Sequence, residues 1–118
     1  MSKFSLTKAF LKIVPKVWGA ELWIVNEPEY CGKFLEIKKG TSGSLHYHPI
    51  KKETFKILKG KIFLELGGKK QKLNINSPPV TIYSGVQHRI TGITDATILE
   101  ISTTHSDADV VRIEVSKG

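Results

Sequence analysis

Apolar and polar residues alternate with a period of two in several short stretches of this chain, and clusters of Gly, Pro, Asn and Ser separate them. Period two puts successive side chains on opposite faces of a strand. Short β-branched and aromatic runs bounded by turn residues predict an all-β domain. The predicted strands are Trp18–Val25, Lys33–Lys38, Ser44–His48, Glu53–Lys59, Lys61–Leu66, Gln71–Ile75, Val80–Tyr83, His88–Thr91 and Ala96–Ser102, with Val110–Val115 as a further one. Lys59-Gly60 and Gly67-Gly68 supply the positive-φ tolerance that tight hairpins need. Asn76-Ser77-Pro78-Pro79 breaks a ladder, because Pro has no N–H to donate. Only Ser5–Val14 reads as a short helix, and Thr104–Asp109 has room for one turn. Nine or ten short strands in 118 residues predict a compact barrel or two-sheet sandwich, with space for a ligand or metal at its mouth.

The alternation also selects chemistry. In Glu53–Lys59, Glu53 shares a face with Phe55 and Ile57. A carboxylate on that face is costly without a metal or a positive neighbour. Upstream, His46 and His48 stand two apart and so aim to one side of a strand. A bend at Pro49 brings Glu53 back to the same point. Two imidazoles and a carboxylate make half a site for a divalent transition metal. His88, which opens the strand after the turn at 84–87, is available as a further ligand. Three nitrogens and a carboxylate oxygen suit Mn, Fe, Co, Ni or Zn without choosing among them.

At 118 residues the chain is expected to form a single domain with its own core. No apolar run approaches the roughly 18–20 residues of a membrane helix. The N-terminus lacks a continuous apolar stretch of signal-peptide type, and Cys31 is the one cysteine. A cytoplasmic protein is expected, with Cys31 as a small buried hydrophobe. The net charge of +7 reads first as a solvated surface, and functionally as attraction for anions such as phosphorylated sugars or nucleic acid. Nucleic acid is disfavoured, because Arg89 and Arg112 are the only arginines and bidentate recognition relies on Arg. Lys38, Lys56 and Arg89 are candidates to hold a substrate phosphate; the plain alternative for each is a solvated cation. His105, near Asp107 and Asp109, is a candidate for proton transfer, with loop capping as the alternative. Trp18 and Trp23 are expected to pack a core or an interface.

The stretch from Gly40 to Gly60 matches G-x5-H-x-H-x4-E-x6-G, the first cupin motif, at every defining position. The second motif, G-x5-P-x-G-x2-H-x3-N, is partly kept: Gly85 and His88 match, while Ser77, Tyr83 and Gly92 replace its first Gly, its Pro and its Asn. The chain therefore resembles the cupins. The resemblance implies a double-stranded β-helix, the cupin or jelly-roll barrel, with His46, His48, Glu53 and His88 around one divalent metal ion. The implied layout is one cupin domain over 1–118, with an N-terminal arm 1–16, a barrel about 17–104 and a C-terminal strand about 105–118.

A narrower resemblance runs through Val14-Pro15-Lys16-Val17-Trp18-Gly19-Ala20-Glu21, the strand from Tyr30 to Gly40, Ser44-Leu45-His46-Tyr47-His48, and the segment from Glu100 to Arg112. These are similar to segments of the cupin domains of type II mannose-6-phosphate isomerases and of D-lyxose isomerase-like proteins. That resemblance implies a metal-dependent isomerase or epimerase of a sugar or sugar phosphate, with Glu53 and His105 as candidates for proton transfer. A non-catalytic sugar-binding cupin and an iron-dependent cupin dioxygenase are the alternatives. A homodimer is expected, with Val17–Val25 pairing or swapping into a second barrel.

Overall fold

Among the described residues the alternating pattern becomes eleven strands in two antiparallel sheets. The structure is a computed structural model that describes residues 9–118. One sheet has the order β1 (Lys12–Lys16), β2 (Gly19–Asn26), β3 (Cys31–Ile37), β10 (Ala96–Ser102), β5 (Glu53–Lys59) and β8 (Val80–Ile82). The other runs β11 (Val111–Glu114), β4 (Leu45–Tyr47), β9 (His88–Gly92), β6 (Ile62–Leu66) and β7 (Lys69–Leu73). Every strand pair is antiparallel. This is the predicted double-stranded β-helix. β5 and β10 have the predicted bounds, and the other predicted strands shift by one or two residues at their ends.

The inward positions of the strands form the core. Leu35 and Ile37 of β3, Phe55 and Ile57 of β5, and Ile98 of β10 meet Ile62 and Leu64 from the facing sheet. Burial of such side chains contributes roughly 1.5–3 kcal/mol each. This apolar plug fills one end of the barrel, and polar side chains line the other end.

The N-terminal segment differs from its prediction. Residues 5–8 of the expected helix lie outside the described residues. Lys12–Val14 belongs instead to β1, which pairs with β2 from Lys12↔Trp23 to Lys16↔Gly19. Pro15 is tolerated because β1 is an edge strand. Gly19–Asn26 is paired on both sides within its own chain, so β1 and not Val17–Val25 is the edge. No helix among the described residues is long and apolar enough to cross a membrane.

Candidate metal centre

Three strand ends deliver the expected ligands to one place. His46 lies in β4 and His48 just beyond it, Glu53 opens β5, and His88 opens β9. β4 pairs with β9 with His46 opposite His88. One ligand nitrogen from each imidazole lies within 4.8 Å of the others. Glu53 Oε2 stands 3.1 Å from His48 Nε2 and 3.4 Å from His88 Nε2. The bend between His48 and Glu53 has its own lock. The buried Asp109 accepts hydrogen bonds from the backbone N–H of Ile50 and of Lys51, each at 2.8 Å.

Each imidazole is also oriented from behind. His48 Nδ1 lies 2.7 Å from the carbonyl of Asp109, His46 Nδ1 3.0 Å from that of Ser44, and His88 Nδ1 3.0 Å from that of Val86. A carbonyl can only accept, so each Nδ1 donates to it and each Nε2 is left to face the cavity. Gly85 sits at φ +82°, and its N–H donates to the His48 carbonyl at 2.8 Å. That bond ties the turn carrying His88 to the strand carrying His48. Gly92 lies where a Cβ would come within 2.6 Å of the Lys38 carbonyl, so the backbones pack closely at this departure from the second motif. Ser77, Tyr83 and Gly92 all lie outside the cavity wall.

The residues fit a metal. Glu53 Oε2 and His88 Nε2 are buried with no hydrogen-bond partner, even though their neighbours are close. Such orphaned groups are costly unless something else satisfies them. Burial would raise the Glu53 carboxyl, but the His48 and His88 imidazoles and the Lys51 ammonium hold it well below the usual range. Burial and the neighbouring His88 push His46 down to about 4. At neutral pH the site therefore offers a neutral His46 and an ionised carboxylate, the protonation states a metal requires.

The centre lies in a cavity of about 440 Å³. Beside it runs a buried ion pair, Lys51 Nζ to Glu100 Oε2 at 2.8 Å. Burial pulls Lys51 down, but the Glu100 and Glu53 carboxylates outweigh that and hold it raised. A second cluster lines the wall built by β1, β2 and β3. Lys33, 1% exposed, places Nζ 3.1 Å from His105 Nδ1, 3.5 Å from Glu21 Oε1 and 4.1 Å from the Trp23 ring centroid. An ammonium in this setting donates to Nδ1, so His105 carries its proton on Nε2, which donates to Asp107 Oδ1 at 2.7 Å. Burial also lowers the His105 pKa. His105 thus presents an N–H donor, with its acceptor nitrogen capped by Lys33.

The structure brings His46, His48, Glu53, His88 and His105 to one cavity. It does not bring Lys38, Lys56 or Arg89 there. Lys56 Nζ donates to the carbonyls of Ile75 and Ser77, holding the loop before β8. Arg89 pairs with Glu114 at 2.7 Å and donates to the Gly43 carbonyl. Lys38 is exposed, on a different surface from the cavity. The cations that line the cavity are Lys12, Lys16, Lys33, Lys51 and Arg112. Trp18 and Trp23 both lie on the wall, Trp23 with its Nε1–H donating to Glu21. A signal for Lys33 and Glu100 was present in the alternation. Lys33 shares a face with Leu35 and Ile37, and Glu100 shares one with Ala96 and Ile98.

No protein-family model matches the chain, and no curated protein matches it in sequence. Solved structures do match. KdgF from Halomonas sp. superposes with a TM-score of 0.69 at 16% identity, over 75% of this chain and 81% of that one. The capsular polysaccharide assembling protein CapF from Staphylococcus aureus gives 0.76 at 20% identity, over 88% of this chain and 34% of that one. Oxalate decarboxylase from Bacillus subtilis gives 0.76 at 15% identity, over 93% and 31%. The chain spans about a third of the length of the last two. At these identities the likeness concerns the fold. With two antiparallel sheets rolled around a cavity, and with these structural neighbours, the chain has the cupin fold.

Proposed function

We propose that this chain is a metal-dependent cupin enzyme that isomerises or epimerises a sugar or sugar phosphate, in the manner of the mannose-6-phosphate isomerase cupins. The observation that carries the reading is the convergence of His46, His48, His88 and an orphaned Glu53 carboxylate in a cavity walled by further charged groups. These four residues would hold one divalent transition metal ion, Mn, Fe, Co, Ni or Zn. Bound there, such an ion supplies Lewis-acid polarisation of a substrate oxygen. Glu53, held strongly ionised, is a weak base and serves as a ligand. The Lys51–Glu100 pair is then the proton-handling pair beside the centre. His105 orients substrate by donating from Nε2. The Trp18 and Trp23 rings give the cavity apolar wall beside the centre. A homodimer is part of this reading, and a monomer by light scattering at micromolar concentration counts against it.

The test is interconversion of aldoses and ketoses across a panel of sugars and sugar phosphates. It is run on the protein as purified, after chelation, and after metal is restored. Turnover that is lost on chelation and regained with metal supports the reading; no turnover of any panel member with metal restored sinks it. Capping of His105 Nδ1 by Lys33 favours a second reading, a sugar-binding cupin without turnover. Ligand-induced thermal stabilisation with no product formed would select it.

A further inference from the structure

The wall opposite in chemistry to the metal centre is built from β1, β2 and the loop before β11. In β1, Lys12, Val14 and Lys16 alternate onto the cavity side. Lys12 Nζ lies 5.0 Å from the Trp23 ring centroid, and Lys33 Nζ approaches the same ring at 4.1 Å. His105 packs edge-on to it at 4.8 Å. One indole thus gathers two ammoniums and an imidazole, and Lys16 joins them through Glu21 at 3.9 Å.

The charges in this cluster do not balance. Glu21 is shared, at 3.5 Å from Lys33 and 3.9 Å from Lys16, and also accepts the Trp23 N–H. Lys12 has no ion pair among the described residues. The one other anion is Asp107, whose side chain is 93% exposed and is held by a single bond, from His105 Nε2 at 2.7 Å. His105 itself is anchored, because its N–H donates to Asn26 Oδ1 and its carbonyl accepts from Asn26 Nδ2. The donor is fixed in place and its acceptor is exposed. With Asp107 in place the three lysines exceed the two carboxylates by one charge, and with Asp107 swung out they exceed Glu21 by two.

We propose that Lys12, Lys16 and the His105 Nε2–H, whose ring Lys33 fixes from Nδ1, form an oxyanion subsite on the cavity wall, and that the Asp107 carboxylate occupies it as an exchangeable internal anion. A ligand oxyanion takes the place of Asp107 on Nε2 and meets the lysines that Asp107 faces from outside. Attraction from His105, Lys12 and Lys16 holds the Asp107 carboxyl below its usual range, which places the carboxylate in their field. The twofold excess exposed by its departure matches a phosphate monoester, which carries about −1.5 to −2 at neutral pH, better than a monoanionic carboxylate. The subsite deepens the sugar-phosphate reading above but does not need the metal, since none of its groups touches His46, His48, Glu53 or His88.

The experiment is calorimetric titration of the full chain with inorganic phosphate and, separately, with acetate, in chelated and metal-loaded samples. Asp107→Asn removes the internal competitor and should tighten phosphate binding roughly two- to fivefold, the scale of one exposed charge interaction. Lys12→Ala should weaken it by a similar factor, and acetate should bind more weakly than phosphate to every form. Lys12 is exposed, so its replacement leaves the core intact. Unchanged or weaker phosphate binding in Asp107→Asn overturns the proposal, as does Lys12→Ala binding equal to the parent. Phosphate binding with these mutant effects, but no sugar turnover, leaves the subsite standing and removes the isomerase. Turnover of neutral sugars without phosphate binding does the reverse.

Discussion

Replacing Asp109 by Ala tests how the bend between the first two ligands and Glu53 is held. Asp109 is 8% exposed and lies outside the cluster of His46, His48 and His88. Its two carboxylate oxygens accept from the N–H groups of Ile50 and Lys51 at 2.8 Å each. Asp109→Ala leaves two backbone donors without their charged acceptor, one of them in the buried Lys51. An unsatisfied donor of this kind costs roughly 1–3 kcal/mol, so the pair should cost about 2–4 kcal/mol. That is a large share of the roughly 5–15 kcal/mol available to a domain, and corresponds to a fall in Tm of roughly 10 °C. The Asp109 carbonyl still receives His48 Nδ1, so any loss of metal affinity reports displacement of the 49–52 bend and not loss of that bond. A fall of about 10–100-fold is expected, the usual scale for outer-shell changes. Asp109→Asn keeps one acceptor oxygen and should fall between parent and Ala. Urea denaturation of the chelated proteins reads the stability, and zinc titration with a competing chromogenic chelator reads the affinity. An Ala variant with parental urea midpoint and parental zinc affinity refutes the reasoning.

Other outcomes follow from the same contacts. In His88→Ala, metal bound at equilibrium should fall well below one ion per chain by elemental analysis; full occupancy would show that the centre does not use His88. Chelation should lower Tm and added zinc should restore it, because a ligand of the folded state alone stabilises by mass action; a Tm insensitive to both counts against the site. Stability of the chelated protein should fall on acidification. His46 titrates near 6.5 when unfolded but only near 4 when folded, so its contribution is complete above 6.5 and disappears as pH falls from 6.5 to 4, by about 2–3 kcal/mol. The depressed Glu53 carboxyl acts in the same direction, its contribution being present above the unfolded value of 4.5 and lost below it. Urea midpoints that stay flat from pH 7 to pH 4 would contradict the His46 contribution, and midpoints flat from pH 4.5 downward would contradict that of Glu53. Lys51→Met should cost about 3–5 kcal/mol by stranding Glu100, while Lys51→Met with Glu100→Leu should recover much of it. A double variant as unstable as the single one would show that the pair's own attraction outweighs its desolvation.

The clustered imidazoles and the Glu53 carboxylate were legible because their placement depends on local rules. Two residues apart on a strand means one face, and the run from Glu53 carried an acid among apolar neighbours. Pairing of β4 with β9, which sets His46 opposite His88, is a long-range event that only the motif resemblance anticipated. β1 was misread for a related reason. Lys12–Lys16 carries Pro15 and two lysines, and it becomes a strand only because β2 offers an edge to pair with. Lys38, Lys56 and Arg89 were chosen by charge, which says nothing of direction; Lys56 and Arg89 spend their donors on nearby carbonyls and on Glu114. Lys33 and Glu100 were missed although the reasoning that found Glu53 applies to them equally, since each sits on the apolar face of its own strand.

The three imidazoles are steered by main-chain carbonyls of Ser44, Val86 and Asp109. Every amino acid has that carbonyl, so apart from the Ser44 hydroxyl beside His46 Nδ1 and the Asp109 carboxylate that holds the 49–52 bend, the aim of the rings does not depend on the side chains of the wall. The floor of the cavity is therefore insulated from change in its walls. A lineage, or an engineer, can rewrite Lys12, Glu21, Lys33 or Arg112 and explore new ligands while the three clustered imidazole nitrogens stay in position. The separation between a backbone-steered floor and side-chain-built walls gives this small barrel room to change what it recognises without rebuilding what it binds.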